Sequence, residues 1–325
     1  MKALVYTNPH ELVYRDADDP VVQNGDVLIK IDSVGICGSD MHAFLGHDDR
    51  RPAPLILGHE AAGITTEGQR VTVNPLVTCG ECHYCASGRD NICQSRQIIS
   101  MPPREGAFAE WLAIPERNIV TIPYDIPLNK AALAEPIACG WHAVRIGRSH
   151  LYDDANEAKV LVIGGGAIGV GAAFSSRAQG LTNIMVVEPN DLRRQYLIAQ
   201  TNLNVVHPDE LTASSQFDLV IDGVGYEATR AMASAQVKPG GVIMHIGLGS
   251  SDGGVDVRRM TLQEITFIGT YTYTSADFIA TAEAIFTGKL GDLNWIEERH
   301  LSEGNAAFSD IRTGRVAAPK IILKP

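Results

Sequence analysis

Four cysteines, Cys79, Cys82, Cys85 and Cys93, lie in one short segment, separated by two, two and seven residues. Four thiolates so close in sequence can converge on one tetrahedral Zn2+ and leave no open position, which makes a structural rather than a catalytic site. Disulfides and inert buried thiols are the alternatives. Disulfides suit an oxidising compartment, whereas the opening Met1-Lys2-Ala3-Leu4-Val5-Tyr6 reads as a strand and not as a targeting peptide. Cysteines at i, i+3 and i+6 followed by a fourth suit a metal better than they suit packing. Upstream, Cys37, Ser39, Asp40 and His42 share one stretch, and His59-Glu60 follows Gly58. A lone cysteine or histidine is more often a core residue, but these sit at loop–strand junctions. A third set, Gly164-Gly165-Gly166-Ala167-Ile168-Gly169, fits G-x-G-x-x-G, with Glu188 following 19 residues past Gly169.

The glycine set is weak alone and gains meaning from its flanks. Residues 159–164 form an apolar strand, an Ala-rich helix runs to 179, residues 183–188 form a second strand ending on Glu188, and 191–200 a second helix. In that setting Gly164 permits a tight turn, Gly166 lets the backbone approach a pyrophosphate, and Gly169 allows close helix–strand packing. The helix N-terminus offers N–H groups and a positive dipole to the phosphates. Glu188 can accept from a ribose diol and would repel a 2′-phosphate, so NAD is expected. Arg193 and Arg194 argue for NADP only if they leave the solvated helix face that such arginines usually form.

Further strands are expected at 218–222, 241–247 and 265–269. Alternation of apolar strands with helices means a parallel sheet covered on both faces. The first third is instead β-rich, with short strands at 27–32 and 69–74. Long irregular stretches at 35–59 and 75–104 have the length at which loops carry function, and a helical stretch opens near residue 130. At 325 residues two domains are expected. The 45% hydrophobic and 20% charged content is that of a soluble globular protein, and no apolar run is long enough to span a bilayer. A net charge of −11 lacks the footprint of a nucleic-acid binder. Neither nucleic acid nor membrane is expected as a partner, and the setting expected is cytoplasmic.

The stretch 35–42, Gly58-His59-Glu60, the four-cysteine lobe, Gly106-Ala107-Phe108-Ala109-Glu110 and the glycine fingerprint, in that order, resemble the zinc-containing medium-chain alcohol dehydrogenases over nearly the whole chain. Glu135-Pro136 is similar to the sorbitol (polyol) branch, where the animal-type enzymes place a cysteine. The resemblance implies an α/β fold, a β-rich GroES-like catalytic domain (1–136 plus 271–325) with an inserted doubly wound parallel-sheet Rossmann domain (137–270). It implies NAD and two Zn2+ per chain. Cys37 and His59 resemble fixed ligands of a catalytic zinc, with Glu60 and Glu135 completing the shell directly or through water. Cys79, Cys82, Cys85 and Cys93 would hold the structural zinc. Asp40 would orient His59, Ser39 would receive the substrate proton, and His42 would pass it toward solvent. Val224, Ile246, Gly247, Leu248, Thr270 and Tyr271 match segments that line the nicotinamide and its ribose. Lys320 matches a basic position that approaches the pyrophosphate, and Cys139 reads as packing.

Two departures stand out. Residues 61–71 are shorter than the family's hairpin, with Gln69 in place of the usual aspartate. Thr272 stands where sorbitol dehydrogenases carry a substrate-facing arginine. The activity expected is hydride transfer from a secondary alcohol or polyol to NAD, giving a ketone or ketose, in a homodimer or homotetramer. Phe44, Trp111 and Tyr273 are expected to wall the pocket; the loop 47–51 reads as a solvated charged loop, the alternative being that it reaches the pocket mouth, where Arg50 and Arg51 would meet a phosphate or carboxylate. The alternatives are a threonine-dehydrogenase-like or sugar-phosphate-polyol enzyme, or a catalytically degenerate NAD-binding protein. Joint retention of Cys37, Ser39, His42, His59, Glu60 and Glu135 argues against the last.

Overall fold

Four of the five residues of Lys159–Ile163 are buried, because an unbroken Val-Leu-Val-Ile run can be satisfied only when both faces of the strand are covered. In the computed structural model, which describes residues 1–152, 157–212 and 214–325, this strand lies within a six-stranded sheet. Its order is Asn204–Val206, Asn183–Val187, Lys159–Ile163, Phe217–Asp222, Val237–His245, Thr266–Gly269. Every pairing is parallel. The winding reverses beside Lys159–Ile163, the place where doubly wound sheets bind dinucleotides. The helix expected at 191–200 is present as Asp191–Gln200, and the first Rossmann helix spans Ala167–Ala178.

The other large sheet is mostly antiparallel and runs Ile119–Thr121, Arg70–Val73, Glu60–Thr65, Asp26–Gly35, Lys320–Lys324, Ile296–His300, with Trp111–Pro115 also on Asp26–Gly35. The C-terminal strand enters a sheet built by the N-terminal part, pairing Ile322 with Gly35. The fold is therefore α/β, a β-rich unit interrupted by a doubly wound one. Short helices, Gly38–Phe44 and His83–Ala86, form within the long irregular stretches.

The helix Ala134–Arg148 ties the two sheets together. It is buried on most of its faces and packs on both Ala167–Ala178 and Ser275–Phe286. A Cβ on Gly140 would lie 2.5 Å from the Ala172 nitrogen, so only glycine lets the first two helices approach this closely. Pro136 sits in the first turn, where its missing N–H has no intrahelical partner.

Against Ser275–Phe286 the contact is polar. Asp277 closes a capping box with Thr274 and receives His142 Nδ1 at 2.7 Å and Arg145 Nε at 2.6 Å. Burial works against the Asp277 charge, but His142, Arg145 and Thr274 outweigh it and hold the carboxyl well below its usual range. A carboxylate depressed in the folded state stabilises the fold above its unfolded pKa, and that contribution fades as pH falls through the folded value. Asp277→Asn is therefore expected to lose about 2 kcal/mol at neutral pH. The gap from the parent chain should narrow below about pH 4, as urea titrations at the two pH values would read.

Candidate active site

Strand Asp26–Gly35 ends beside the start of Glu60–Thr65, with Gly35 opposite Glu60. That register brings Cys37, His59 and Glu60 together: one ligand atom from each lies within 4.8 Å of the others. Asp40, fully buried, joins the two segments. Its carboxylate accepts from the Cys37 N–H at 3.0 Å and the Gly58 N–H at 3.2 Å, and lies 3.4 Å from His59 Nδ1. Ser100 Oγ lies 3.3 Å from the same nitrogen. With Nδ1 so engaged, Nε2 is left for a metal, the usual arrangement for a ligating histidine. Glu60 Oε1 receives Lys320 Nζ at 2.6 Å, while Oε2 is buried with no hydrogen-bond partner. An orphaned carboxylate oxygen beside a thiol and an imidazole suits a zinc ion.

Glu135 lies outside this trio, in the first turn of Ala134–Arg148. Burial pushes its carboxyl up to about 7, and its Oε1 accepts from the Tyr273 hydroxyl at 2.6 Å. Ser39 and His42 are half-buried on the helix Gly38–Phe44, three residues apart and so on one face.

In the cysteine lobe the sulfurs are 3.5 Å apart for Cys82–Cys85, 3.6 Å for Cys79–Cys93 and 3.9 Å for Cys79–Cys85. A tetrahedron with Zn–S bonds of about 2.3 Å has edges of about 3.8 Å, so the four side chains fit zinc. Hydrogen bonds from the Glu81 and Cys82 N–H groups bring the Cys79 thiol down to about 6. Burial and then the neighbouring sulfurs push Cys85 up to about 12. Four thiolates cannot share so small a space without a cation.

A cleft of about 600 Å³ runs from Cys37, Gly38 and Glu60 to the parallel sheet. Gly164, Gly166, Ile168, Glu188, Arg193 and Val224 line it. Gly164 has φ +102°, a Cβ on Gly166 would enter open space, and one on Gly169 would lie 1.8 Å from the Gly164 oxygen. The Glu188 carboxylate accepts from the Gly165 and Asn190 N–H groups, which fixes it at the cleft wall. Arg194 turns back to the Glu188 carbonyl.

The remaining residues singled out in the sequence take the following places. Lys320 lines the cleft, and its ammonium is engaged by Glu60 and by the Ile36 carbonyl at 2.7 Å, because a buried lysine must find a partner. Ile246, Gly247 and Leu248 lie outside the cleft lining, in a turn packed on Val224-Gly225, and Leu248 is exposed. Thr270 and Tyr271 are also outside it. The Tyr271 ring lies under the Arg96 guanidinium, 4.7 Å away, and its carbonyl accepts from Asn91. Phe44 is a core residue packed on Phe308, Trp111 lines a separate groove with Met1 and Arg104, and Arg50 and Arg51 both pair with Asp48. Ser100, Asn91, Asp90 and the Tyr273–Glu135 bond escaped the sequence reading. All are long-range contacts of loop residues, and the only local hint is that Asp90-Asn91 falls between the last two cysteines.

A Cβ on Gly35 would lie 1.9 Å from Glu60 Oε2. Gly35→Ala is thus expected to displace that carboxylate and lower the zinc content by up to one ion per chain. NAD binding should stay intact, as elemental analysis and cofactor titration would report.

Two family models match: "Alcohol dehydrogenase GroES-like domain" over residues 23–124 and "Zinc-binding dehydrogenase" over 167–287. The chain is 32% identical to L-galactonate-5-dehydrogenase of Escherichia coli, covering 89% of this chain and 88% of that protein. It is 31% identical to sorbitol dehydrogenase of Bacillus subtilis, over 85% and 83%. Among solved structures, acetophenone reductase of Geotrichum candidum in complex with NAD superposes with a TM-score of 0.88 at 25% identity, covering 100% of this chain and 97% of the other. With these relatives, that fold and both cysteine-bearing sites, the chain belongs to the zinc-containing medium-chain alcohol dehydrogenase family, in its sorbitol-like branch.

Proposed function

We propose that the chain oxidises a secondary hydroxyl of a small polyol to the ketone, with NAD taking the hydride. The observation that carries this reading is the convergence of Cys37, His59 and Glu60, with Glu60 Oε2 buried and unpaired, at one end of the dinucleotide cleft. Cys37, His59 and Glu60 hold the catalytic zinc, with Glu135 beside it, and Cys79, Cys82, Cys85 and Cys93 hold the structural one. Bound there, zinc would supply a Lewis acid that lowers the pKa of an alcohol, and NAD would supply the hydride acceptor. The chain's residues supply the rest. Asp40 fixes His59, Ser39 takes the hydroxyl proton, and His42 carries it outward along the same helix face. Glu188 holds the adenosine ribose, and the glycine turn 164–169 receives the pyrophosphate. Ile246, Gly247, Leu248, Thr270 and Tyr271 border the nicotinamide and its ribose next to Val224, a reading supported by the packing of Gly247 on Val224-Gly225.

A shell of one sulfur, one nitrogen and carboxylate oxygen is harder than one with two sulfurs and suits substrates that offer several hydroxyls. Similarity to B. subtilis sorbitol dehydrogenase supports a polyol. Similarity to L-galactonate-5-dehydrogenase supports a second reading, a sugar acid oxidised at a secondary carbon. One carboxylate, Asp48, is shared by Arg50 and Arg51, and Arg50 stays exposed, which supports this second reading. The division into 1–136 with 271–325 and 137–270, a cytoplasmic setting and assembly as a homodimer or homotetramer are part of the same reading. The open edge of the parallel sheet at Thr266–Gly269, with Phe267 exposed, supports assembly.

Rates of NAD reduction with ethanol, 2,3-butanediol, C4–C6 polyols and hexonates should rank polyols first by kcat/KM. A preference for ethanol would overturn the reading, and a preference for a hexonate would promote the second. His59→Ala should leave a folded chain that binds NAD and turns nothing over. Glu188→Ser should narrow the preference for NAD over NADP, measured as the ratio of kcat/KM for the two cofactors.

A further inference from the structure

The segment between the third and fourth cysteines does more than close a loop. It contains the short turn Asp90–Ile92, and two of its side chains reach across to residues about 180 positions later. Asn91, buried, donates from Nδ2 to the Tyr271 carbonyl at 2.7 Å. The Asp90 carboxylate accepts from the Ser275 N–H at 3.2 Å and from the Ser275 hydroxyl. Arg96, three residues past Cys93, covers the Tyr271 ring. These contacts bracket Thr272, a β-branched residue held at φ +47°. Such a conformation persists only where the surroundings over-determine it. They also bracket Tyr273, fully buried, whose hydroxyl donates to Glu135.

We infer that the cysteine lobe is a positioning device for the active site: Asp90 and Asn91 fix the 271–275 turn, and Tyr273 in that turn fixes the Glu135 carboxylate. A metal in the lobe would act through this path, because Cys85 and Cys93 hold the ends of the segment that carries Asp90 and Asn91. Asn91, Asp90 and Tyr273 are positioning residues, since none is among the converging ligands. The inference rests on the proposed place of Glu135 beside the catalytic zinc.

The test uses the full-length enzyme with Co2+ exchanged into the catalytic site and zinc kept in the lobe. The readouts are the visible cobalt spectrum, metal content, NAD affinity and kcat. Asn91→Ala should keep both metals and its NAD affinity, and shift the cobalt spectrum in the same sense as Tyr273→Phe. Its kcat should fall about tenfold, the effect of losing one positioning hydrogen bond. The double variant should match Tyr273→Phe alone within about twofold, because the two residues act in series. A wild-type spectrum and kcat in Asn91→Ala, or fully additive losses in the double variant, would overturn the inference. If Asn91→Ala does not fold, Ser275→Ala removes the neighbouring hydroxyl bond to Asp90 that anchors the same turn and is held to the same outcomes. Glu135→Gln separates the two layers. If it leaves the cobalt spectrum unchanged, the place of Glu135 is wrong and the inference falls with it. If it and Tyr273→Phe shift the spectrum while Asn91→Ala does not, only the lobe's role is wrong.

Discussion

A buried carboxylate cannot remain charged without partners, and the partners of Asp40 are the backbone flanks and the side chain of the two residues best placed to bind a metal. By accepting from the Cys37 and Gly58 N–H groups and facing His59, it holds in one place two segments about twenty residues apart in sequence. Around this point the sheet register puts Glu60 against Gly35, and the Lys320 ammonium, from the far end of the chain, neutralises one oxygen of Glu60. The site is therefore assembled by three stretches of sequence that only the completed β-rich unit brings together.

The doubly wound unit contributes the cleft, and the helix that leads into it brings a third acidic group. Ala134–Arg148 presents Glu135 from its first turn, where the helix dipole favours a negative charge. The same helix is pinned at Gly140 by close contact with the Rossmann helix and at His142 and Arg145 by Asp277. Burial around Glu135 opposes its ionisation. Its ionised form thus depends on groups that face it, the His59 charge first and then the Tyr273 hydrogen bond.

Much of this was legible in the sequence because the relevant signals are local. Cysteine spacing, the strand–glycine–helix context and the apolar strands each lie within a few residues, and the structure puts strands, helices and turn where those patterns suggested. Glu188 and Gly169 were readable for the same reason. The pairing of Lys320 with Glu60 was not readable, because the two lie 260 residues apart and nothing near either reports it. Phe44 and Trp111 were misjudged because aromatic type does not reveal which side of a sheet or loop a ring faces. Tyr271 and Thr272 depend on a contact with the cysteine lobe that begins 180 positions earlier.

Locating the metals tests the central claim most directly. Anomalous diffraction at the zinc edge from crystals of the zinc-loaded enzyme is expected to give two peaks per chain, one enclosed by the sulfurs of Cys79, Cys82, Cys85 and Cys93 and one in contact with Cys37, His59 and Glu60. A single peak in the cysteine lobe, from protein that still reduces NAD with its substrate, would contradict the account.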